Sequence, residues 1–131
     1  MALVHHDLCF GCGQTNLFGL LLEVERVDGD RVAGRCFVKQ DHQGPDRTAA
    51  HQGVIAAALC EAMALACGPG ARAVALSVEL TAADAPVGAF LDIEAATGEW
   101  QAGTIAATAN AASEGRPLAT ASGRFALEQP V

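Results

Sequence analysis

The alternation of apolar and polar residues predicts two short strands ahead of the longest apolar run in the chain. From residue 20 to residue 25, every second side chain is apolar, while Glu23 and Glu25 fall on the opposite face. Successive side chains of a strand point to opposite faces, so this pattern is typical of a half-buried strand. Asp28-Gly29 then predicts a hairpin turn, since glycine accepts a positive φ. The residues expected on the inner side of the two strands are Leu20, Leu22, Val24, Val32, Cys36 and Val38.

One long helix is predicted over about residues 52–67. From Val54 to Cys67, every residue is apolar or cysteine except Glu61. The run is too long for an ordinary strand, and its alanine, leucine and methionine content favours a helix. Gly68-Pro69-Gly70 follows and predicts the end of the helix. A helix that is apolar on nearly every side must also be covered on nearly every side.

Four further alternating segments follow the helix, at residues 73–81, 89–97, 103–112 and 117–127. Because the connections between them are short, we expect these four strands to form an antiparallel meander. The predicted fold class is therefore α+β, with an antiparallel sheet of about six strands wrapped around one central helix. The 131 residues fit a single domain, 1–131, in which residues 1–19 form an irregular N-terminal segment.

Charge and composition exclude several classes of function. The chain has 15 acidic and 8 basic residues and a net charge of −7, which disfavours nucleic acid and anionic membrane surfaces as partners. No apolar segment reaches the roughly 20 residues needed to span a bilayer. The N-terminus lacks the pattern of a signal peptide, so we expect a cytoplasmic protein. The odd number of cysteines, five, argues against a disulfide framework.

The start of the predicted helix and its lone carboxylate suggest a reaction site. The first amides of a helix have no internal partner and lie at the positive end of its dipole, so an amide at Gly53 suits an oxyanion. Burial would raise the pKa of Glu61, as expected of a general base or acid. Two other interpretations are open: His51 or Thr48 caps the helix in the ordinary way, and Glu61 faces solvent or a dimer seam and pairs with an arginine.

Four segments of the sequence resemble one known family. They are Cys9-Phe10-Gly11-Cys12-Gly13 with Asn16 and Gly19-Leu20, His42-Gln43-Gly44-Pro45, His51-Gln52-Gly53 through Ala57 with Glu61-Ala62-Met63, and Pro86-Val87-Gly88 with Gly123-Arg124-Phe125. In these segments the chain is similar to hotdog-fold acyl-CoA thioesterases of the phenylacetate-pathway type, especially a subgroup with an N-terminal Cys-x-x-Cys-Gly. The helix segment is moderately specific, and each of the others is weak when taken alone.

This resemblance implies a thioester hydrolase whose site lies on a dimer interface near the N-terminus of the central helix. Its partner would be a small acyl thioester, with no cofactor, and the protein would be a homodimer or a tetramer built from two dimers. The catalytic residues would be Gly53 as oxyanion donor, Glu61 as the carboxylate that positions water, and His51. The substrate-binding residues would be Gln43, Gln52 and Cys60. Arg47 and Arg72 are added from the sequence itself as candidate contacts to phosphate.

Two departures from the family pattern matter for activity. Gln52 replaces the first glycine of the family's His-Gly-Gly, and Cys60 stands at the usual position of the catalytic acid. Cys60 is either a small buried residue in an inactive site or a nucleophile near the helix start. The alternative function is therefore a non-catalytic hotdog protein that binds a small acyl or aromatic ligand.

The N-terminal segment carries candidate metal ligands. His5, His6, Cys9 and Cys12 could supply four ligands to zinc. A firm zinc prediction would need a second cysteine pair downstream, which the sequence lacks. The family resemblance implies no metal either, so we predict none and leave a zinc-stabilised module as a third hypothesis.

Overall fold

The computed structural model describes residues 1–127 and contains one long helix and one antiparallel sheet. The last four residues of the predicted domain, 128–131, lie outside the described part. The sheet has six strands in the order β1-β2-β4-β5-β6-β3, which confirms the predicted α+β class. The elements are β1 (Glu23–Arg26), β2 (Arg31–Phe37), α1 (Gln52–Cys67), β3 (Ala71–Leu80), β4 (Phe90–Gln101), β5 (Thr104–Ser113) and β6 (Arg116–Leu127).

The predicted bounds of the helix are confirmed, and both of its ends are capped by side chains. His51 is the N-cap residue, and its ring accepts a hydrogen bond from the Gly53 N–H. At the other end, the Arg26 guanidinium donates to the carbonyl oxygens of Leu65 and Ala66 at 3.2 and 3.3 Å. The last carbonyls of a helix lack internal partners, so Arg26 satisfies two of them and links β1 to α1.

The core lies between the inner face of the sheet and α1. All six residues predicted on the inner side of the first two strands are buried. On β4, Leu91 and Ile93 are buried while Asp92 and Glu94 are exposed, as the alternation predicts. Phe125 on β6 and Met63 on α1 are fully buried, and they are among the largest side chains that fill the core.

The predicted meander of the last four strands is wrong. β4, β5 and β6 do follow one another as antiparallel neighbours, but β3 pairs with β6 at the far edge of the sheet. The place beside β2 is taken by β4. The physical reason is that the helix leads the chain across the sheet to its far edge, so that residues 81–89 must lead it back.

Two local predictions around the first hairpin also differ from the structure. β1 begins only at Glu23, because Leu21 has a positive φ of 52° that breaks the extended conformation. The turn at Asp28-Gly29 is present, but Gly29 does not have a positive φ. Instead, the Asp28 carboxylate accepts hydrogen bonds from the N–H groups of Asp30 and Arg31, and these bonds hold the turn.

One edge of the sheet and one side of the helix are left uncovered. Edge strand β3 exposes Val74 by 60% and Leu76 by 45%, which are high values for apolar strand residues. On α1, Gly53 is exposed, and the small residues that follow it on the same side are half-buried: Ala56, Ala57 and Cys60. The sequence predicts cover on nearly every side of the helix, and a single chain does not provide it here.

Candidate functional site

The N-terminus of α1 opens into a surface depression of about 290 Å³. Two acidic residues, Asp46 and Asp84, line it together with His51. The other lining residues are Gly44, Pro45, Ala49, Ala50 and Gln52. The depression therefore combines a helix N-terminus with acidic side chains, a combination that suits a carbonyl substrate and an attacking water.

Backbone hydrogen bonds between two loops build this depression. The Ala50 N–H donates to the Ala85 carbonyl and the Val87 N–H to the Thr48 carbonyl, each at 2.8 Å. These bonds clamp residues 81–89, which lead from β3 back to β4, against the loop that precedes the helix. Asp84 is brought to the helix start in this way, although 33 positions separate it from His51 in the chain.

The Gly53 amide is not a free oxyanion donor in this conformation. Its N–H donates to Nδ1 of His51 at 2.8 Å, so the interpretation of His51 as an ordinary cap is confirmed. Among residues 1–127, by contrast, the Gln52 N–H makes no hydrogen bond. The free amide at the helix start therefore belongs to Gln52.

The structure does not bring Glu61 and Gly53 together within one chain. They are eight positions apart on the helix, which is about 12 Å along the axis. The Glu61 carboxylate instead contacts the N-terminal segment, with Oε2 lying 3.0 Å from His5 Nδ1 and 3.2 Å from Cys9 Sγ. Glu61 could reach a helix N-terminus only in a second copy of the chain.

Cys60 lies on the uncovered side of the helix and carries a thiol rather than a thiolate. Burial, followed by the charge of Glu61, raises its pKa. A nucleophilic cysteine normally has a lowered pKa and an electropositive neighbour. The surroundings of Cys60 in one chain therefore favour the inert interpretation.

His42 is a buried residue whose position the sequence argument used only as part of a loop motif. Its side chain is buried and neither ring nitrogen has a hydrogen-bond partner among residues 1–127. Burial, with a smaller effect of Lys39, lowers the pKa of His42, so the ring is neutral near pH 7. The sequence pattern could not have predicted the burial of His42, because this residue lies in a polar loop whose side chains follow no periodicity.

The N-terminal segment and α1 together bring four metal-ligating side chains into one cluster. The ligand atoms of His5, Cys9, Cys12 and Glu61 lie within 4.8 Å of one another. Burial, and after it Glu61, raise the pKa of the Cys12 thiol to about 12. His6, the fourth candidate ligand of the sequence, is exposed and accepts a hydrogen bond from the Leu8 N–H. Glu61 therefore takes the place that the sequence argument gave to His6.

Comparison with solved structures identifies the architecture. A thioesterase superfamily protein superposes with a TM-score of 0.78 at 21% identity, covering 94% of this chain and 64% of that one. The Escherichia coli PaaI protein from the phenylacetic acid degradation operon gives a TM-score of 0.74 at 17% identity, covering 86% and 83%. The chain has the hotdog fold. No family model and no curated protein matches the sequence.

A third hotdog structure was solved with a ligand. It is a hypothetical thioesterase from Streptococcus pneumoniae with coenzyme A, which gives a TM-score of 0.68 at 16% identity and covers 79% of this chain and 83% of its own. At these identities the similarity establishes the hotdog fold of the present chain. Its activity must be argued from its own residues.

The remaining predicted binding residues are dispersed over this hotdog chain. Gln43 and Arg47 are exposed on the loop that borders the depression, and Gln43 forms a β-bridge with Ala50. Arg72 is also exposed but lies at the start of β3, just beyond the C-terminal end of the helix. The 16-residue helix is about 24 Å long. Arg72 therefore cannot join Arg47 at the depression within one chain.

In the same residues, 1–127, no helix has the length and apolar character that crossing a bilayer requires.

Proposed function

We propose that this protein is a thioester hydrolase for small acyl-CoA-type substrates, with its site at the N-terminus of α1. The observation that carries the proposal is the depression where the free Gln52 amide and the His51 ring lie beside two carboxylates. Hydrolysis of a thioester requires mainly oxyanion donors and a positioned water. The hotdog fold shared with named thioesterases supports the same reaction class.

His51 and Gln52 would stabilise the oxyanion. Because Nδ1 of His51 accepts the Gly53 N–H, the neutral ring carries its own proton on Nε2. That N–H and the Gln52 amide are two donors at the positive end of the helix dipole. As water attacks the thioester carbon, the carbonyl oxygen gains the negative charge that both donors stabilise. Gly53 contributes by letting the chain turn closely into the helix and by fixing the His51 ring.

Asp84 is the carboxylate we assign to water. Asp46 is held by the Thr48 N–H and hydroxyl, at 2.8 and 2.7 Å, and these bonds lower its pKa. Asp84 is exposed, and its carboxylate has no hydrogen bond within residues 1–127. It can accept a proton from the attacking water. That proton then passes to the departing thiolate as the tetrahedral intermediate collapses. Glu61 stays the sequence-based alternative for this role, acting at the site of a second copy.

A homodimer would complete the site. The exposed edge of β3 and the small-residue side of α1 are uncovered apolar surfaces, and a second copy would bury both. If the two helices run antiparallel, Cys60 and Arg72 of one copy approach the depression of the other. Arg47 and Arg72 are then available for the phosphates of coenzyme A, the ligand named for the Streptococcus pneumoniae hotdog protein.

A second candidate is a hotdog protein that binds an acyl or aromatic ligand without turnover. Two observations favour it: the Gly53 amide is engaged by His51, and the thiol at Cys60 has a raised pKa. The same depression would bind the ligand in either case. Only the fate of the thioester bond separates the two functions.

The test is an assay with a broad panel of acyl-CoA thioesters, in which hydrolysis is measured as the release of free coenzyme A. We expect turnover by the wild type and a loss of about 10²-fold or more in kcat for Asp84→Asn. Asp41→Asn, an exposed carboxylate outside the depression, is the matched control and should retain activity. Glu61→Gln is assayed in parallel. Thermal stabilisation by acyl-CoA without any turnover would reject the hydrolase and support the ligand-binding protein.

A further inference from the structure

We propose that His5, Cys9, Cys12 and Glu61 bind one zinc ion that fastens the N-terminal segment to α1. The four residues come from two distant parts of the chain. Three lie in the segment before β1, and Glu61 lies in the middle of the helix. The sequence lacks a second cysteine pair, and the structure supplies the fourth ligand from the helix instead.

The distances within the cluster fit tetrahedral coordination. With zinc bonds of about 2.3 Å to sulfur and 2.0–2.2 Å to nitrogen and oxygen, the ligand atoms of a tetrahedral site lie roughly 3.3–3.8 Å apart. His5 Nδ1 lies 3.6 Å from Cys9 Sγ and 3.5 Å from Cys12 Sγ. Glu61 Oε2 lies 3.0 Å from His5 Nδ1 and 3.2 Å from Cys9 Sγ. Small outward shifts of the carboxylate would complete the tetrahedron.

The donor set favours zinc in a structural role. Two sulfurs, one imidazole nitrogen and one carboxylate oxygen make a mixed set that suits zinc. Four protein ligands leave no open position for water or substrate, which is the property of a structural site. Binding would convert the thiols of Cys9 and Cys12 to thiolates and release two protons to solvent. His5 would bind as the neutral imidazole and Glu61 as the carboxylate.

The surroundings of the cluster are shaped around it. Cys12 is only 1% exposed, and the side chains of His5 and Glu61 are 20% and 14% exposed. The backbone N–H of His5 donates a hydrogen bond to Cys12 Sγ at 3.1 Å. This bond would support a thiolate ligand. A carboxylate in an apolar helix is costly unless it is compensated. A zinc ion at this point would compensate the negative charges of the Glu61 carboxylate and of the two cysteine thiolates.

The glycines of Cys9-Phe10-Gly11-Cys12-Gly13 allow this packing. A Cβ atom on Gly11 would overlap the Glu61 carboxyl group, and one on Gly13 would overlap the Asp7 carbonyl. The Gly13 N–H also donates to the Cys9 carbonyl at 2.8 Å, which closes a turn that places the two sulfurs on one side. The loop is therefore built so that its cysteines meet the helix carboxylate.

The zinc site is separate from the proposed reaction site. Glu61 lies about 12 Å along the helix from Gly53, and the cluster shares no residue with the depression. The inference therefore does not depend on thioester hydrolysis. Zinc content and catalytic activity are different measurements, so either proposal can fail while the other holds.

The first test is the metal content of the full chain, purified without chelators from cells grown with zinc and measured by inductively coupled plasma mass spectrometry. We expect about one zinc per wild-type chain. His5→Gln and Cys12→Ser should lose it. His6→Gln and Cys67→Ser are the matched controls, since both residues lie outside the cluster, and they should retain it. Equal zinc contents in His5→Gln and His6→Gln would overturn the proposal, as would wild-type protein without stoichiometric metal.

A second test avoids variants that fail to fold. Wild-type protein is stripped with a chelator and titrated with Co²⁺, whose visible absorption reports tetrahedral thiolate coordination. We expect saturation at one equivalent, reversal by Zn²⁺ and a higher Tm on addition of Zn²⁺. Absence of the tetrahedral absorption, with no change in Tm, would reject the site even if every variant were unstable.

Discussion

Gly11 lies directly against the side chain of Glu61. The nearest atoms that an added Cβ would meet are the Cδ, Cγ and Oε2 atoms of Glu61. The one acidic residue in the apolar stretch of the helix is thus covered by the one loop that carries a Cys-x-x-Cys pair. This contact makes Glu61 part of the connection between the N-terminal segment and the core.

Replacement of Gly11 by alanine tests the contact. We expect Gly11→Ala to destabilise the protein by about 1–3 kcal/mol, because the added methyl group must displace the Glu61 carboxyl group or the loop. Gly29→Ala is the control, since an added Cβ at that position meets no atom within 4 Å. Urea unfolding measures both. Equal stabilities of the two variants would show that the loop does not press on Glu61.

The cap at the C-terminal end of the helix gives a second prediction. Arg26→Ala should lower the free energy of unfolding by about 1 kcal/mol, because two helix carbonyls lose a charged donor. Arg31→Ala serves as the comparison. Its ion pair with Asp28 joins side chains that are 56% and 55% exposed, and such pairs contribute little. Thermal unfolding of both variants should rank Arg26→Ala clearly below Arg31→Ala, and the reverse order would contradict the capping role.

His42 predicts a stability change with pH. Its pKa is lowered in the folded protein because the ring is buried, so its neutral form contributes stability above the unfolded pKa of about 6.5. That stability is lost as the pH falls below about 6.5, because the unfolded chain takes up a proton more readily. His42→Leu removes the titration, whereas His6→Gln removes an exposed ring. Urea unfolding between pH 7.5 and 5 should show a flatter profile for His42→Leu alone.

The exposed edge strand predicts an oligomer that a single charge can disrupt. If the proposed homodimer forms through β3, Leu76→Glu should shift it from dimer to monomer, because a carboxylate would be buried at the interface without a partner. Val27→Glu introduces the same charge at another exposed apolar residue and should leave the dimer intact. Analytical ultracentrifugation distinguishes the outcomes. A wild-type monomer would remove the dimer from the proposed function.

Cys60 allows a test by gain of function. If Cys60 faces the substrate cleft of a dimer, Cys60→Asp places a carboxylate where the thioesterases that the sequence resembles carry their catalytic acid. We expect kcat/KM to rise by about 10²-fold over Cys60→Asn, which has the same size without the charge. The comparison uses the acyl-CoA ester that the wild type turns over or binds best. Equal rates for the two variants would place Cys60 outside the reaction site.

The sequence by itself determined the elements that depend on local periodicity. The helix from Gln52 to Cys67 is visible as a long apolar run, interrupted only by Glu61 after Val54, that ends at glycine and proline. The inner faces of β1, β2 and β4 follow from the alternation of side chains, because one face of each is buried. The apolar helix and the short connections also predicted a sheet wrapped around that helix, but they did not predict the order of its strands.

Tertiary structure decided what depends on contacts between distant residues. It placed β3 beside β6, moved Asp84 to the helix start, and turned Glu61 toward His5 and Cys9. None of these is visible in the sequence, since a strand's alternation is the same beside any neighbour and a side chain's direction depends on its packing. For Glu61, the sequence supplied a carboxylate in an apolar helix, and only the fold supplied the two sulfurs and the imidazole beside it.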